Sequence, residues 1–76
     1  SDETYYVKRG TSYWKLKEFD EAILDFIKSL EIVPNDISVQ AYLCEALFDA
    51  GRYNEAKEGW GKLKNMIHNY LLWVAK

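Results

Sequence analysis

The residue types that carry out most protein chemistry are scarce in this chain of 76 residues. It contains one cysteine and one histidine, Cys44 and His68. These side chains could act as a nucleophile and its general base, but a lone cysteine at a helical apolar position is more often a packing residue. Metal ligation needs several Cys, His or carboxylate side chains that converge, and no such cluster is evident. The sequence therefore predicts a protein that is not an enzyme, with no catalytic residue, no metal site and no cofactor.

The charge composition argues against nucleic-acid and membrane partners. Ten basic and twelve acidic side chains give a net charge of −2, whereas nucleic-acid-binding domains carry an excess of positive charge. A modest basic patch near Trp14 is interrupted by Glu18 and Asp20, which is typical of a solvated helix face. No apolar run approaches the roughly 20 residues of a membrane helix. We expect neither nucleic-acid binding nor membrane insertion.

Length and cysteine content indicate one small domain in a reducing compartment. A chain this short hides only about 60% of its unfolded surface, so its core must be thin. A single cysteine cannot form an internal disulfide. The polar, acidic start Ser1–Thr4 is unlike a signal peptide. We therefore expect a cytoplasmic location.

The chain matches itself when it is shifted by 34 residues. Aromatic side chains fall on aromatic side chains three times, and alanine and glutamate each fall on themselves. Chance could give one such pair but hardly the set, so we expect two copies of one structural unit. The pairs are Trp14 with Phe48, Phe19 with Tyr53, Glu21 with Glu55, Ala22 with Ala56, and Phe26 with Trp60.

The spacing inside each copy predicts two helices. Apolar side chains recur at steps of three and four, as they do on one face of a helix. The acidic pair Asp20–Glu21 is typical of a helix start, and Pro34 ends the second helix because proline cannot continue it. In the second copy we expect a helix over about 37–50, a turn at 51–53 and a last helix capped by Asn54.

A helix–turn–helix unit of 34 residues resembles the tetratricopeptide repeat, whose pattern places seven residue types at fixed offsets. The first copy has all seven spacings and five of the seven types, whereas the second keeps Leu43 and Ala56. The resemblance implies an all-α, right-handed solenoid of two hairpins. It also implies close helix crossings at Gly10–Ala22 and Cys44–Ala56. The matching positions are Tyr6, Arg9, Gly10, Tyr13, Ala22, Phe26 and Pro34, and then Gln40, Leu43, Cys44, Leu47, Ala56, Trp60 and His68.

The end of the second copy departs from this pattern, because His68 stands where proline would stop the helix. In one interpretation Asn69 starts a short helix that caps the open end. In the other the last helix runs unbroken to Lys76. We favour a break near His68–Tyr70. The expected organisation is one domain over 1–76, with repeat one at 3–36, repeat two at 37–70 and a C-terminal helical extension at 69–76.

The resemblance implies a non-catalytic scaffold or adaptor that binds a peptide or protein segment. In such proteins the first helix of each repeat lines a groove, and aromatic side chains are good anchors there. We expect Trp14 to be exposed in this groove, and we leave Phe48 open between the groove and the seam between the repeats. Glu45 and Asp49 favour a partly basic ligand. The predicted groove residues are Val7, Thr11, Trp14, Lys15, Ala41, Tyr42, Glu45, Phe48 and Asp49.

The apolar C-terminal stretch supports an alternative function as a self-assembly element. Two repeats are fewer than the three or so that a stable solenoid usually needs. An exposed apolar tail is a surface that soluble proteins avoid. It would therefore pack on a neighbouring repeat of a longer chain or form a homodimer. The predicted self-association residues are Tyr70, Leu71, Trp73 and Val74.

Overall fold

A computed structural model describes all 76 residues, and four α-helices joined by short turns account for nearly the whole chain. Each helix packs against the next one in the chain, so α1 and α2 form one hairpin and α3 and α4 form a second. The all-α fold predicted from the sequence is confirmed. The helices are α1 (Asp2–Lys15), α2 (Phe19–Ile32), α3 (Ile37–Asp49) and α4 (Tyr53–Val74).

The turns inside the two hairpins are equivalent, and they start the following helices earlier than expected. Lys17 and Gly51, 34 residues apart, both have positive φ, at 63° and 79°. This left-handed conformation reverses the chain tightly. As a result α4 begins at Tyr53 and its cap position is Arg52, which makes no side-chain cap hydrogen bond. The predicted cap at Asn54 is therefore wrong, because Asn54 already lies in the first turn.

The ends of α2 and α4 differ as the sequence of each copy suggests. Helix α2 stops at Ile32 ahead of Pro34, as predicted. Helix α4 continues without interruption to Val74, so the break that we favoured near His68–Tyr70 is wrong. No proline follows Gly61, and nothing in that stretch competes with the helical backbone bonds. The unbroken last helix is thus the correct alternative, although it ends at Val74 rather than at Lys76.

The core is built around a close approach of α1 to α2. A β-carbon placed on Gly10 would lie only 2.8 Å from Cε1 of Phe26 and 3.2 Å from Cβ of Asp25. Only glycine allows the helices to come this near. The nearest neighbour across this crossing is therefore Phe26 rather than the expected Ala22. The fully buried apolar residues are Ala22, Ile23, Phe26, Val39, Cys44, Ala46, Leu47 and Ala56.

In the second hairpin, Gly59 has the corresponding role. A β-carbon on Gly59 would lie 2.9 Å from Sγ of Cys44, so α4 also sits tightly on α3. Burial raises the pKa of the Cys44 thiol, which keeps it protonated and poorly nucleophilic. Cys44 is a packing residue at this crossing.

An ion pair replaces an apolar contact in the first hairpin. Arg9 stands where the repeat pattern has leucine, and its guanidinium donates to both oxygens of Asp25 at 2.7 and 2.8 Å. Asp25 is buried, with only 2% of its surface exposed. These hydrogen bonds raise the pKa of Arg9, and Arg9 also donates to the hydroxyl of Tyr5 at 2.9 Å. A buried carboxylate is thus held by two charge-assisted bonds.

Candidate functional site: the groove between α1 and α3

A shallow cleft of about 320 Å³ lies between the first halves of α1 and α3. We call it the α1–α3 groove. Val7 and Tyr42, which the sequence predicted for the groove, line it from opposite helices. The remaining lining positions were missed, although Glu3 and Thr4 lie one helical turn before Val7 and the helical spacing could have indicated them. The lining residues are Glu3, Thr4, Val7, Lys8, Asp36, Ser38, Val39 and Tyr42.

Trp14 joins the two hairpins rather than standing free. Its indole Nε1–H donates to Oδ2 of Asp49 at 2.8 Å. Its ring centroid lies 6.1 Å from that of Phe26 and 6.2 Å from that of Tyr42. The side chain is half-buried in the seam where α3 packs against the first hairpin, whereas we expected it to be exposed. This placement couples the floor of the groove to the packing of the repeats.

The polar residues predicted for the groove have different surroundings. Oδ2 of the Asp49 carboxylate accepts the hydrogen bond from the Trp14 indole. The Thr11 hydroxyl donates to the backbone carbonyl of Lys8 at 2.9 Å. Lys15, the last residue of α1, and Glu45 on α3 are exposed. None of these residues lines the α1–α3 groove itself.

Phe48 lies in an aromatic cluster on the second hairpin. Its ring centroid is 5.1 Å from that of Tyr53 and 5.9 Å from that of Trp60. The Phe48–Trp60 pair is the 34-residue equivalent of Trp14–Phe26. However, Phe26 is 0% exposed because Tyr42 of α3 lies against it, whereas Trp60 is 42% exposed. The two copies therefore have the same aromatic pair, covered in the first copy and open in the second.

The predicted self-association residues fall into two groups on α4. Leu71 and Val74 continue the line of Trp60 and Ile67 at steps of seven, four and three, and all four are exposed. We call these four residues the α4 face. Tyr70 and Trp73 instead border a hollow of about 300 Å³ beside the start of α3. None of the four helices is both long and apolar enough to cross a membrane.

Comparison with known proteins shows what the first hairpin is similar to. The family model described as "Tetratricopeptide repeat" matches residues 4–36, which cover nearly all of α1, all of α2 and the turn that follows. A 35-residue stretch is 46% identical to Tetratricopeptide repeat protein 16 of Macaca fascicularis, spanning 46% of this chain and 4% of that protein. The chain thus corresponds to a small fraction of that relative's length. No solved structure gave a significant match.

Proposed function

We propose that this chain, whose residues 4–36 match the tetratricopeptide repeat family model, is a scaffold or adaptor that binds a peptide or protein segment in the α1–α3 groove. Tetratricopeptide repeats generally mediate protein–protein interaction, and proteins of this family are typically non-catalytic. In this chain the candidate surface for such an interaction is the α1–α3 groove, which residues of both hairpins line. The fold and the family support the general class, and the groove geometry supports the specific site.

The observation that carries the proposal is the composition of the α1–α3 groove. Its apolar floor is formed by Val7, Val39 and Tyr42, and charged side chains of both signs, such as Glu3 and Lys8, border it. An apolar centre inside a polar rim is the usual arrangement of a protein interface. The rim carries both acidic residues and the basic Lys8, so it does not select one sign of charge. We therefore expect it to bind an apolar anchor with a mixed-charge flank.

Replacing Tyr42 with alanine should weaken binding of a groove ligand by at least about 1 kcal/mol, because Tyr42 lines the groove and truncated aromatic anchors have effects of this size. The ligand can be a peptide selected from a random library for binding to this chain, and calorimetry measures its affinity. The variant Trp14→Phe keeps an aromatic ring against Tyr42 but loses the hydrogen bond to Asp49. It therefore tests whether a change in the junction of the hairpins, without loss of a groove residue, alters ligand affinity. Trp73→Ala, an exposed aromatic outside the groove, is the matched control. Unchanged affinity in Tyr42→Ala would contradict the groove assignment.

A second candidate function is self-association through the α4 face. The observation that favours it is the exposure of Trp60 at the position where its equivalent, Phe26, is fully covered. The apolar line continues through Ile67, Leu71 and Val74. A contiguous apolar surface of this kind marks an interaction site. A second copy of the chain would bury it in an isologous contact.

Sedimentation velocity tests this candidate with a matched pair of charge substitutions. Leu71→Glu should weaken dimerisation at least about tenfold, because it places a charge in the buried centre of the contact. Leu24→Glu introduces the same charge at an equally exposed leucine of α2, outside the α4 face, and should leave dimerisation unchanged. A wild-type chain that stays monomeric at every concentration would remove self-association from consideration.

A further inference from the structure

A second and larger cleft lies on the opposite side of α3 from the groove, between α2 and α4. Its volume is about 560 Å³, against about 320 Å³ for the α1–α3 groove. We call it the α2–α4 cleft. We propose that it is a separate binding site for a partner segment in which an apolar side chain is flanked by lysine or arginine. This site shares no residue with the groove, so it stands or falls independently of groove binding.

The floor of the α2–α4 cleft is apolar and firmly held. Leu30, Leu43 and Leu47 form it, with Ile27 at its edge. Leu47 is buried in the core, whereas Leu30 and Leu43 are half-buried and face the opening. A ligand side chain that covers them removes apolar surface from water, which is the main favourable contribution to association. The floor therefore selects an aliphatic or aromatic anchor.

A hydrogen bond across the floor ties α3 to α4. The side-chain Nε2 of Gln40, which is itself buried, donates to the backbone carbonyl of Gly59 at 3.1 Å. The tight contact of Gly59 with Cys44 brings the helices together at the same level. The cleft is thus preformed, and little ordering of the protein is required when a ligand enters.

The rim of the α2–α4 cleft is acidic. Its charged side chains are three glutamates, Glu31, Glu55 and Glu58, and one lysine, Lys62. Glu55 accepts two hydrogen bonds from Arg52, which lower the pKa of Glu55. Glu31 and Glu58 form no ion pair within the chain. Two carboxylates without an ion-pair partner outweigh the single Lys62, so the rim beside the apolar floor attracts a cationic flank and repels an acidic one.

A peptide titration followed by ¹⁵N NMR tests this site. The probe is a peptide of about ten residues in which leucines three and four positions apart alternate with lysines, and glutamates replace the lysines in its control. The lysine peptide should shift backbone signals of Ile27, Leu30 and Leu43. The double substitution Glu31→Gln and Glu58→Gln removes two rim charges and should weaken the affinity for the lysine peptide about tenfold. The matched double variant, Glu18→Gln with Glu21→Gln at the other end of α2, should change the affinity less than about twofold.

A second pair of variants tests the floor. Ile27→Ala should weaken the lysine peptide about fivefold, since it shortens an apolar contact at the cleft edge. Leu24→Ala, an exposed apolar residue on the same helix but outside the cleft, should have no effect. Equal affinity for the glutamate peptide, or signal shifts at Trp60 and Ile67 with Leu43 unmoved, would overturn the proposal.

Two segments of this chain, 15–17 and 62–64, place a leucine between two lysines, and only the leucine of the first is exposed. Leu16, in the turn after α1, is 71% exposed and lies between Lys15 and Lys17. A second copy could therefore insert this turn in place of a partner. In the absence of peptide, the Leu43 signal would then shift as the protein concentration rises, and this shift would vanish in Leu16→Ala. That result would show that a second copy of the chain fills the cleft, and it would overturn the assignment to a different partner.

Discussion

Replacing Phe26 with alanine should lower the free energy of unfolding by about 3–5 kcal/mol, as expected when a fully buried aromatic ring is removed. Phe26 is 0% exposed and lies where three helices meet. Its ring contacts Trp14 of α1 and Tyr42 of α3, with centroids 6.1 and 5.8 Å apart, and it faces Gly10. Its loss leaves a cavity that the surrounding side chains cannot easily fill. Urea unfolding followed by circular dichroism measures the effect.

The matched variant is Trp60→Ala, at the equivalent position of the second copy. Trp60 is 42% exposed, so its truncation removes a larger side chain but less buried contact. We expect a cost of about 1–2 kcal/mol, since partly exposed side chains contribute in proportion to the area they bury. If Trp60→Ala costs as much as Phe26→Ala in a monomeric sample, the aromatic cluster of the second hairpin is not open as described.

Two glycine substitutions should change stability in opposite directions. Gly10→Ala should destabilise the chain by about 1–3 kcal/mol, because its β-carbon would be 2.8 Å from the ring of the buried Phe26 and overpacking has costs of this size. Gly61 also lies inside a helix, but a β-carbon there meets nothing within 4 Å. Gly61→Ala should therefore stabilise the chain by up to about 1 kcal/mol through helix propensity alone.

The sign of the difference makes this pair informative. Thermal and urea unfolding of both variants give the two changes under the same conditions. If Gly10→Ala also stabilises the protein, then α1 and α2 are further apart than the structure describes. The close crossing of α1 and α2 would then no longer explain the positions of Val7 in the groove and of Trp14 in the seam.

The parts of the fold that depend on local sequence could be predicted. The 34-residue shift gave the two hairpins, and Pro34 marked the end of α2 because proline stops a helix wherever it occurs. Gly10, Cys44 and Ala56, predicted as small crossing residues, are buried. Their individual contacts could not be predicted, since these depend on how far each helix is rotated about its axis.

The errors at helix ends have a physical reason. Asn54 has a side chain that suits a cap, but the left-handed turn at Gly51 places the cap position at Arg52, two residues earlier than predicted. At His68–Tyr70 the family pattern suggested a break, but these residues tolerate a helix and no proline enforces a stop. The lack of a proline in this stretch predicted the end of α4 better than the family pattern did.

Only part of the site could be predicted, because the position of a residue in the repeat does not show which side chains of other helices pack against it. Trp14 and Phe48 are equivalent in sequence, yet α3 lies against Trp14 while Phe48 contacts only its own hairpin. The bond from Trp14 to Asp49 and the Arg9–Asp25 pair join residues 35 and 16 positions apart. No local spacing rule indicates such pairs, because the two partners lie on different helices.

The most direct test of groove binding follows the indole Nε1–H signal of Trp14 by NMR while a library-selected peptide is added. The Trp14 ring lies against Tyr42, which lines the groove, so a ligand that contacts Tyr42 should alter the surroundings of this proton. We expect the signal to shift together with the backbone signals of Val7 and Tyr42, and saturation to follow one affinity. A peptide that binds tightly while all three signals stay in place would contradict the proposal that the α1–α3 groove is the binding site.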